Sequence, residues 1–401
     1  MKLRAAILGT ISSVAFYAGA FAQDITFVTE ISNADLTPSQ TQALNNLRSL
    51  PTTQEVQVIR VNPLALRQNA QLTIPLPGRA DVRVAADTRT SIGEASIAVA
   101  GRTESLDSRA AGIGPVGTST FSVNGDSITG SIQTETGLYR IRPLGGGAHA
   151  IFKVGAFPSE HPQSFGGAEN QNRDLPPFPQ IQRNDRSVAE LRILVAYTPA
   201  VKAKVTDIKG LVDLAFIETN NSYTGSGVYI TAAPATAEPV LIDYVESDSF
   251  DTDLAALKAP NDGNMDDLIR VRNENSADIV VLLVDNGSYC GLASDILASK
   301  ESAFALVYHD CATGYYSFAH EIGHLQGARH NPEADPTATP FPYGHGYMDT
   351  LNKRRSIMSY DCPGGCTRQP EWARPAEWGT PDLHHDARVL NETRALLAGF
   401  R

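Results

Sequence analysis

The sequence predicts a mixed α+β or α/β chain in two parts: a β-rich N-terminal part, then a sheet with helices packed against it. In residues 122–154, short alternating runs are broken by Asn-Gly-Asp, Thr-Gly and Gly-Gly-Gly, which is typical of a β-meander. From Leu191 onward, apolar runs of strand length alternate with helical spacing, which indicates a mostly parallel or mixed sheet. A polar, proline-rich stretch at residues 170–185 separates the two parts and has the composition of an exposed linker.

The first 22 residues have the features of a secretory signal peptide. Lys2 and Arg4 precede an apolar stretch that ends near Phe16, which is shorter than the roughly 20 residues needed to cross a bilayer. The Ala-Phe-Ala at residues 20–22 then fits the small-x-small pattern of a cleavage site. The alternative is an N-terminal membrane anchor. We expect cleavage, and therefore a chain secreted to the extracellular space or periplasm, without a membrane in its mature form.

The elements of the second part follow from the spacing of its apolar residues. Apolar runs bounded by polar or glycine-containing turns predict strands at residues 191–198, 277–284 and 304–309. Helical spacing predicts helices at residues 200–205 and 210–223, and a further helix at about 315–326.

Composition narrows the classes of partner. The chain has 401 residues, of which 42% are hydrophobic and 19% charged, as in an ordinary globular protein with a core. Its formal net charge is −11, so it has no basic surplus with which to neutralise phosphates. We therefore exclude nucleic acid as its main partner.

Four cysteines agree with export to an oxidising compartment. Three pairings are possible, and we favour Cys290–Cys311 with Cys362–Cys366. The second pair would close the loop Cys-Pro-Gly-Gly-Cys, in which proline and glycine already favour a turn. The alternative is a zinc knuckle, but these spacings lack paired C-x-x-C ligands.

Residues 320–330, HEIGHLQGARH, hold three of the nine histidines of the chain. On the predicted helix, His320 and His324 project from the same face and can reach one zinc ion at about 2.0–2.1 Å. Gly327 accepts a left-handed backbone conformation, which would end the helix and let His330 return to the metal. Three protein ligands leave one coordination position open for water, as in a catalytic zinc site.

Glu321, next to the first ligand, is expected to act on the zinc-bound water. It would take a proton as the water attacks a carbonyl, and pass it to the leaving amine. At the frequencies of His, Glu and Gly in this chain, the full spacing arises by chance on the order of once in 50,000 such chains. The alternative is an amphipathic surface helix with incidental histidines.

The pattern of residues 320–330 resembles the extended zinc signature of the metzincin metallopeptidases. This resemblance implies a metzincin catalytic domain, with a twisted mixed sheet, an active-site helix and a Met-turn whose methionine lies under the zinc. Met358 in RSIMSYDC is the candidate methionine, and the alternative is core filler. By the same resemblance, Tyr360 would help to stabilise the transition-state oxyanion; otherwise it is a packed aromatic residue.

Shorter segments resemble narrower branches. CGLA at 290–293 and FALVYHDC at 304–311 are similar to the reprolysin-type branch, and HEIGHLQGARHNPEADP, YGHGY and IMSYDCPGGC are similar to bacterial peptidyl-Asp metalloendopeptidases. The upstream meander resembles reprolysin propeptides more faintly. The resemblance implies a zymogen made of a signal peptide (1–22), a β-rich propeptide ending in a proline-rich linker (23–185) and a zinc metallopeptidase domain (186–401).

The expected function is that of a secreted zinc-dependent endopeptidase with one catalytic Zn²⁺, which prefers bonds N-terminal to aspartate, as the resemblance implies. Its partners would be protein or peptide substrates and its own propeptide. Two alternatives remain: a secreted zinc-containing binding or adhesion module without proteolysis, and a zinc hydrolase of non-peptide amides. Glu321 argues against the first, and the propeptide and Met-turn argue against the second.

An aspartate side chain entering the cleft would lose hydration and need a fixed cation. In metzincins the segment after the Met-turn walls the pocket for the residue just after the scissile bond. Here this segment is 361–370, and Arg368 is its only basic residue. A guanidinium offers a carboxylate two parallel donors, so we expect Arg368 to bind substrate. The alternatives are that Arg368 is a solvated charge, or that Arg329 has this role.

Two further expectations concern latency and the other histidines. No cysteine precedes Cys290, so a cysteine that blocks the zinc is absent. Asp126 could act in its place, but Asn-Gly-Asp is also an ordinary hairpin turn, which we favour. The six histidines outside the motif, including His345, are expected on the surface or in loops.

Overall fold

The computed structural model describes residues 26–93, 96–105, 117–161, 185–375 and 377–401. The predicted signal peptide (1–22) and almost all of the predicted linker (170–185) lie outside these residues, so both stay predictions. Within the described ranges, no helix has the length and apolar character needed to cross a membrane.

Nine antiparallel strands form one sheet in the N-terminal part, in the order β1-β2-β9-β8-β7-β6-β5-β4-β3. Their bounds are β1 Val28–Glu30, β2 Thr53–Val61, β3 Gln71–Ile74, β4 Val82–Ser91, β5 Ser96–Ser105, β6 Gly117–Asn124, β7 Ser127–Thr134, β8 Gly137–Gly145 and β9 Ala148–Val154. The meander predicted for residues 122–154 is confirmed as β6 to β9. Asp126 lies exposed in the tight turn between β6 and β7, as the hairpin interpretation predicted.

The described residues of the N-terminal part also form two α-helices, and each begins with a side-chain cap followed by proline. Helix α1 spans Pro38–Arg48 and helix α2 spans Pro63–Gln68. The side chains of Thr37 and Asn62 accept hydrogen bonds from the first free backbone N–H groups of these helices, and proline is favoured at the position after a cap.

A six-stranded mixed sheet forms the core of the C-terminal part, in the order β11-β10-β13-β15-β14, with β12 also paired to β10. All pairs are parallel except β14 with β15. The bounds are β10 Ala189–Tyr197, β11 Ile230–Pro234, β12 Val240–Leu241, β13 Ile279–Val284, β14 Gly291–Ala293 and β15 Phe304–Tyr308. The predicted mixed sheet is therefore confirmed.

Strand β13 illustrates why the sequences of these strands are continuously apolar. Its alternate residues pack into two different hydrophobic clusters, one on each face of the sheet. A strand that is buried on both faces has no solvent-facing positions, so its sequence does not alternate.

Helices cover the C-terminal sheet, and three two-residue strands follow the active-site helix. The helices are α3 Pro199–Lys204, α4 Ile208–Gly225, α5 Phe250–Lys258, α6 Asp266–Glu274, α7 Ser317–Leu325 and α8 Asp386–Leu397. The short strands are β16 Met348–Asp349, β17 Arg354–Arg355 and β18 Thr367–Arg368. Helix α7 is the helix predicted at about 315–326, shortened at both ends.

The two parts pack through buried polar contacts. The guanidinium of Arg140, on β8, donates to the carboxylate of Asp310 at 2.7 Å and to the carbonyl of Thr313 at 2.5 Å. The amide of Asn124, at the end of β6, donates to the carboxylate of Asp213 on α4 at 3.0 Å. Because Arg140 is fully buried, its charge depends on Asp310 for neutralisation.

Candidate active site

Three buried histidine rings converge at the C-terminal half of α7. The Nε2 atoms of His320 and His324 are 3.1 Å apart, and they lie 3.1 Å and 3.0 Å from the Nε2 atom of His330. Nitrogens bound to one tetrahedral zinc ion at about 2.05 Å stand about 3.3 Å apart, so the donor set fits this metal. The cluster is therefore able to hold a metal ion.

The turn after α7 brings the third histidine back, as the sequence predicted from Gly327. Gly327 has a φ of +104°, and its N–H donates to the carbonyl of His324 at 2.8 Å. The N–H of Ala328 donates to the carbonyl of Gly323 at 2.9 Å. This pair of bonds closes the helix end and reverses the chain towards His330.

Backbone carbonyls orient two of the three rings. The Nδ1 atom of His320 lies 2.8 Å from the carbonyl of Ile357, and that of His324 lies 2.9 Å from the carbonyl of Ala328. A carbonyl only accepts, so each Nδ1 carries the proton and leaves the Nε2 lone pair free for a metal.

Burial favours the neutral form of all three rings. It lowers the pKa of His320 and His330 well below the usual value, and the pKa of His324 to about 4. Neutral imidazole is the form that binds a metal.

The expectation that the six histidines outside the motif lie on the surface or in loops is wrong for His149, which is buried in β9. His345 lies in a loop but is also buried, and its Nδ1 donates to the carbonyl of His330 at 2.7 Å. The ring therefore supports the loop that carries the third histidine. No spacing in the sequence links it to the motif, because the contact depends on the path of the chain after α7.

The carboxylate of Glu321 is buried beside His320. A Cβ atom on Gly291 would stand 2.3 Å from Oε1 of Glu321, so the glycine in β14 leaves room for this side chain. Burial raises the pKa of Glu321 well above its usual value, and the nearby carboxylate of Glu160 raises it further. The close approach of Gly291 to the carboxylate of Glu321 was not predicted from the sequence.

Met358 lies directly under α7, in a turn closed by a hydrogen bond from Ser359 N–H to the carbonyl of Ser356 at 3.1 Å. A Cβ atom on Gly323 would meet Sδ of Met358 at 2.8 Å and the ring of Trp372 at 2.7 Å. Gly323, between the two helical histidines, is therefore the place where the helix touches this turn.

Tyr360 packs beside the third histidine, with ring centroids 4.3 Å apart. Its backbone N–H donates to Oδ1 of Asn331 at 2.8 Å, which ties the turn to the loop after His330. Its hydroxyl donates to the carbonyl of His161, a residue of the N-terminal part.

The cysteines form the same pairs that the sequence analysis favoured. Cys290–Cys311 joins the residue before β14 to the residues that follow β15, and Cys362–Cys366 closes the short loop after Met358. All four sulfurs are in disulfide bonds, so the zinc-knuckle alternative finds no support.

Arg368 is buried, which rules out the solvated-charge alternative; its exposed fraction is 4%. Its Nη1 donates to Oε1 of Glu160 at 2.5 Å and to the carbonyl of Tyr315 at 2.9 Å. The second candidate, Arg329, is already paired with Asp335 at 2.6 Å.

The roles of Glu160 and Ser317 at this site were not predicted from the sequence. Glu160 belongs to the N-terminal part, and its carboxylate also accepts a hydrogen bond from the hydroxyl of Ser317 at 3.0 Å. Glu160 is 208 residues from Arg368 along the chain, so no local pattern could reveal the contact.

Comparison with known proteins identifies the family. Residues 196–372 match the profile of metallo-peptidase family M12, Reprolysin_5. A peptidyl-Asp metalloendopeptidase of Xanthomonas campestris pv. campestris is 37% identical, over 92% of this chain and 91% of that protein. Proteins of the same name from two Stenotrophomonas maltophilia strains are 39% identical over 90% of this chain and 89% of theirs, and 37% identical over 98% and 97%.

The chain belongs to the peptidyl-Asp metalloendopeptidase family, and its residues 196–372 are similar to metallopeptidase family M12. It is thus a zinc metalloendopeptidase of the metzincin type, as the zinc signature predicted. Family M12 implies a bound metal, usually zinc, and the three histidines are the donor set that fits it.

Proposed function

We propose that this chain is the precursor of a secreted zinc endopeptidase. Residues 1–22 would be its signal peptide, about 23–185 its propeptide and about 186–401 its catalytic domain. The observation that carries the proposal is the convergence of three histidine Nε2 atoms within 3.1 Å of one another, with the Glu321 carboxylate beside them. A binding module without proteolysis and a hydrolase of non-peptide amides are both disfavoured by membership of a peptidase family.

The proposed chemistry assigns one task to each side chain. His320, His324 and His330 would hold the zinc ion, which when bound would supply Lewis-acid chemistry for a carbonyl and for water at neutral pH. Glu321 takes a proton from the attacking water and delivers it to the leaving amine. Tyr360 donates a hydrogen bond from its phenol hydroxyl to the oxygen that develops negative charge.

Met358 is proposed to be the Met-turn residue of this site. Its buried contact with Gly323, together with the hydrogen bond from His320 to the carbonyl of Ile357, supports the helix from below. In this role it fixes the height of the helix and takes no part in the reaction.

Preference for aspartate is proposed because the relatives carry the name peptidyl-Asp metalloendopeptidase, and because Arg368 is a buried cation near the histidines. A carboxylate that enters the pocket gains two charge-assisted hydrogen bonds from the guanidinium. Cleavage would then fall on the N-terminal side of the aspartate, with its side chain in this pocket.

The role of Glu321 can be tested with Glu321→Gln. This variant should keep one zinc per chain, because the three histidines remain, and should lose proteolysis of casein. His324→Ala should lose both zinc and activity. Loss of zinc from Glu321→Gln, measured by atomic emission after dialysis, would mean that the ligand set is assigned incorrectly.

The role of Arg368 can be tested with two peptides that differ only by Asp or Asn after the scissile bond. In the processed enzyme, Arg368→Ala should lower kcat/KM for the aspartate peptide by about 2–5 kcal/mol in transition-state terms. The asparagine peptide should change little, and Arg368→Lys should keep part of the preference. Equal losses on both peptides point to a defect in folding or zinc binding, and an unchanged preference contradicts the assignment.

A further inference from the structure

The segment 155–161, which follows β9, leaves the N-terminal sheet and lies along the candidate active site. The carbonyl of Ser159 accepts a hydrogen bond from the N–H of Cys290 at 2.9 Å, next to the edge strand β14. The ring of Phe157 stacks on Tyr315 with centroids 4.1 Å apart. With the bond from Tyr360 to the carbonyl of His161, these contacts hold the segment on both sides of Glu160.

Glu160 is the most deeply placed side chain of this segment that bears a charge. It is 3% exposed, and its Oε1 accepts from both Arg368 and Ser317. One of its carboxylate oxygens lies within 4.8 Å of a ring nitrogen of His320 and an oxygen of Glu321. Oε2 is buried and finds no hydrogen-bond partner among the described residues.

The pocket around Glu160 is built for a carboxylate. Arg368 supplies a buried guanidinium, Ser317 supplies a hydroxyl at the first turn of α7, and the ring of Tyr315 lies 4.3 Å from the guanidinium carbon. In the described part of the chain, Arg368 makes its ion pair with Glu160 alone. Removing the segment therefore takes away the carboxylate that pairs with Arg368, and the guanidinium is then free to bind another carboxylate.

We propose that Arg368 and Ser317 form the pocket that binds the acidic side chain of a substrate, and that Glu160 occupies this pocket in the uncleaved chain. Segment 155–161 is then an internal competitive ligand of the cleft, held by the same charge recognition that selects the substrate. This inference rests on the proposed function, because it uses the same cleft, and it adds Ser317 and Glu160 to the residues that define specificity.

Glu160 suits this pocket because its side chain carries a carboxylate. Glutamate carries the carboxylate that the pocket recognises, on a side chain one methylene longer than that of aspartate. The carbonyl before it, that of Ser159, is bound to the N–H of Cys290. The segment thus satisfies both the pocket and the sheet edge with its own groups, and a substrate can enter only when the segment leaves.

Peptide binding to the zinc-loaded full chain tests the inference without turnover. All proteins carry Glu321→Gln, so that none can process itself, and the probe is a fluorescein-labelled nonapeptide with one central aspartate. Fluorescence anisotropy should give weak binding to this parent chain. Glu160→Gln removes the negative charge through which the segment binds Arg368. The Kd of the probe should therefore be at least tenfold lower than for the parent chain.

Two matched variants serve as controls. Glu160→Asp keeps the negative charge and should leave the binding weak. Glu30→Gln makes the same chemical change at an exposed position on β1, and should have no effect. Changing the central aspartate of the probe to asparagine should weaken binding to the Glu160→Gln chain at least tenfold.

Two results of the binding experiment would contradict the inference. A Kd for Glu160→Gln within twofold of the parent overturns the inference, and so does equal binding of the aspartate and asparagine probes. If circular dichroism shows that Glu160→Gln does not fold, Phe157→Ala replaces it, because it removes the stacking that holds the segment on Tyr315 and leaves Arg368 and Ser317 unchanged. It should produce the same gain in affinity, and its failure to do so overturns the inference.

Failure of the proposed function is distinguishable from failure of this inference. A processed enzyme that hydrolyses no peptide contradicts the proposed function, whatever the anisotropy shows. If the processed enzyme is active but its precursor binds the probe equally well with and without Glu160→Gln, the result contradicts only the internal-ligand proposal.

Discussion

Replacing Gly323 by alanine tests how α7 is seated on the turn beneath it. The new Cβ would stand 2.7 Å from two atoms of the Trp372 ring and 2.8 Å from Sδ of Met358. The ring cannot move aside easily, because it is fully buried, donates to Ser222 at 3.0 Å and stacks on Tyr223. Alanine should gain about 1 kcal/mol of helix propensity. Overpacking at a locked site costs about 3 kcal/mol, so we expect a net destabilisation of about 2 kcal/mol.

The assay compares Gly323→Ala with Gly225→Ala, at the end of α4, where a Cβ meets nothing within 4 Å. In urea, the unfolding free energy of Gly225→Ala should equal that of the parent chain or exceed it by up to about 1 kcal/mol. Because His320 and His324 flank the altered residue, Gly323→Ala should also hold less zinc after dialysis against a weak chelator. A Gly323→Ala chain with parental stability and zinc content would refute the packing argument.

Three further predictions concern other parts of the chain. Arg140→Gln leaves the Asp310 carboxylate buried without its partner, and should lower the unfolding free energy in urea by about 3–5 kcal/mol. Burial raises the pKa of Glu218 to about 7, so between about pH 4.5 and 7 the folded chain holds a proton that the unfolded chain has released, and stability falls as pH rises through this window. Glu218→Gln should remove this dependence and add up to about 3 kcal/mol at pH 8, measured by urea unfolding at pH 5 and 8. Self-cleavage before Asp185, which Arg394 binds at 3.0 Å, should make Asp185 the first residue in N-terminal sequencing, and a start inside the meander contradicts the proposed boundary.

Local patterns in the sequence predicted much of this fold. The i, i+4 spacing of His320 and His324 and the glycine at 327 depend on a single helix and its end, and the structure has both. The meander of β6 to β9 and the apolar run of β13 follow from periods of a few residues. Such signals are readable because backbone geometry fixes which neighbours along the chain share a face.

The sequence by itself determined the metal-binding motif, the family resemblance, the type of each sheet and the favoured disulfide pairing. Only the tertiary structure revealed three contacts. Glu160 pairs with Arg368, the hydroxyl of Ser317 donates to the carboxylate of Glu160, and His345 supports the loop of His330. These contacts join residues far apart in the chain, and they form only when the N-terminal and C-terminal parts pack together. The charge of Arg368 was visible in the sequence, but its burial and its partner depend on that packing, and no periodicity encodes them.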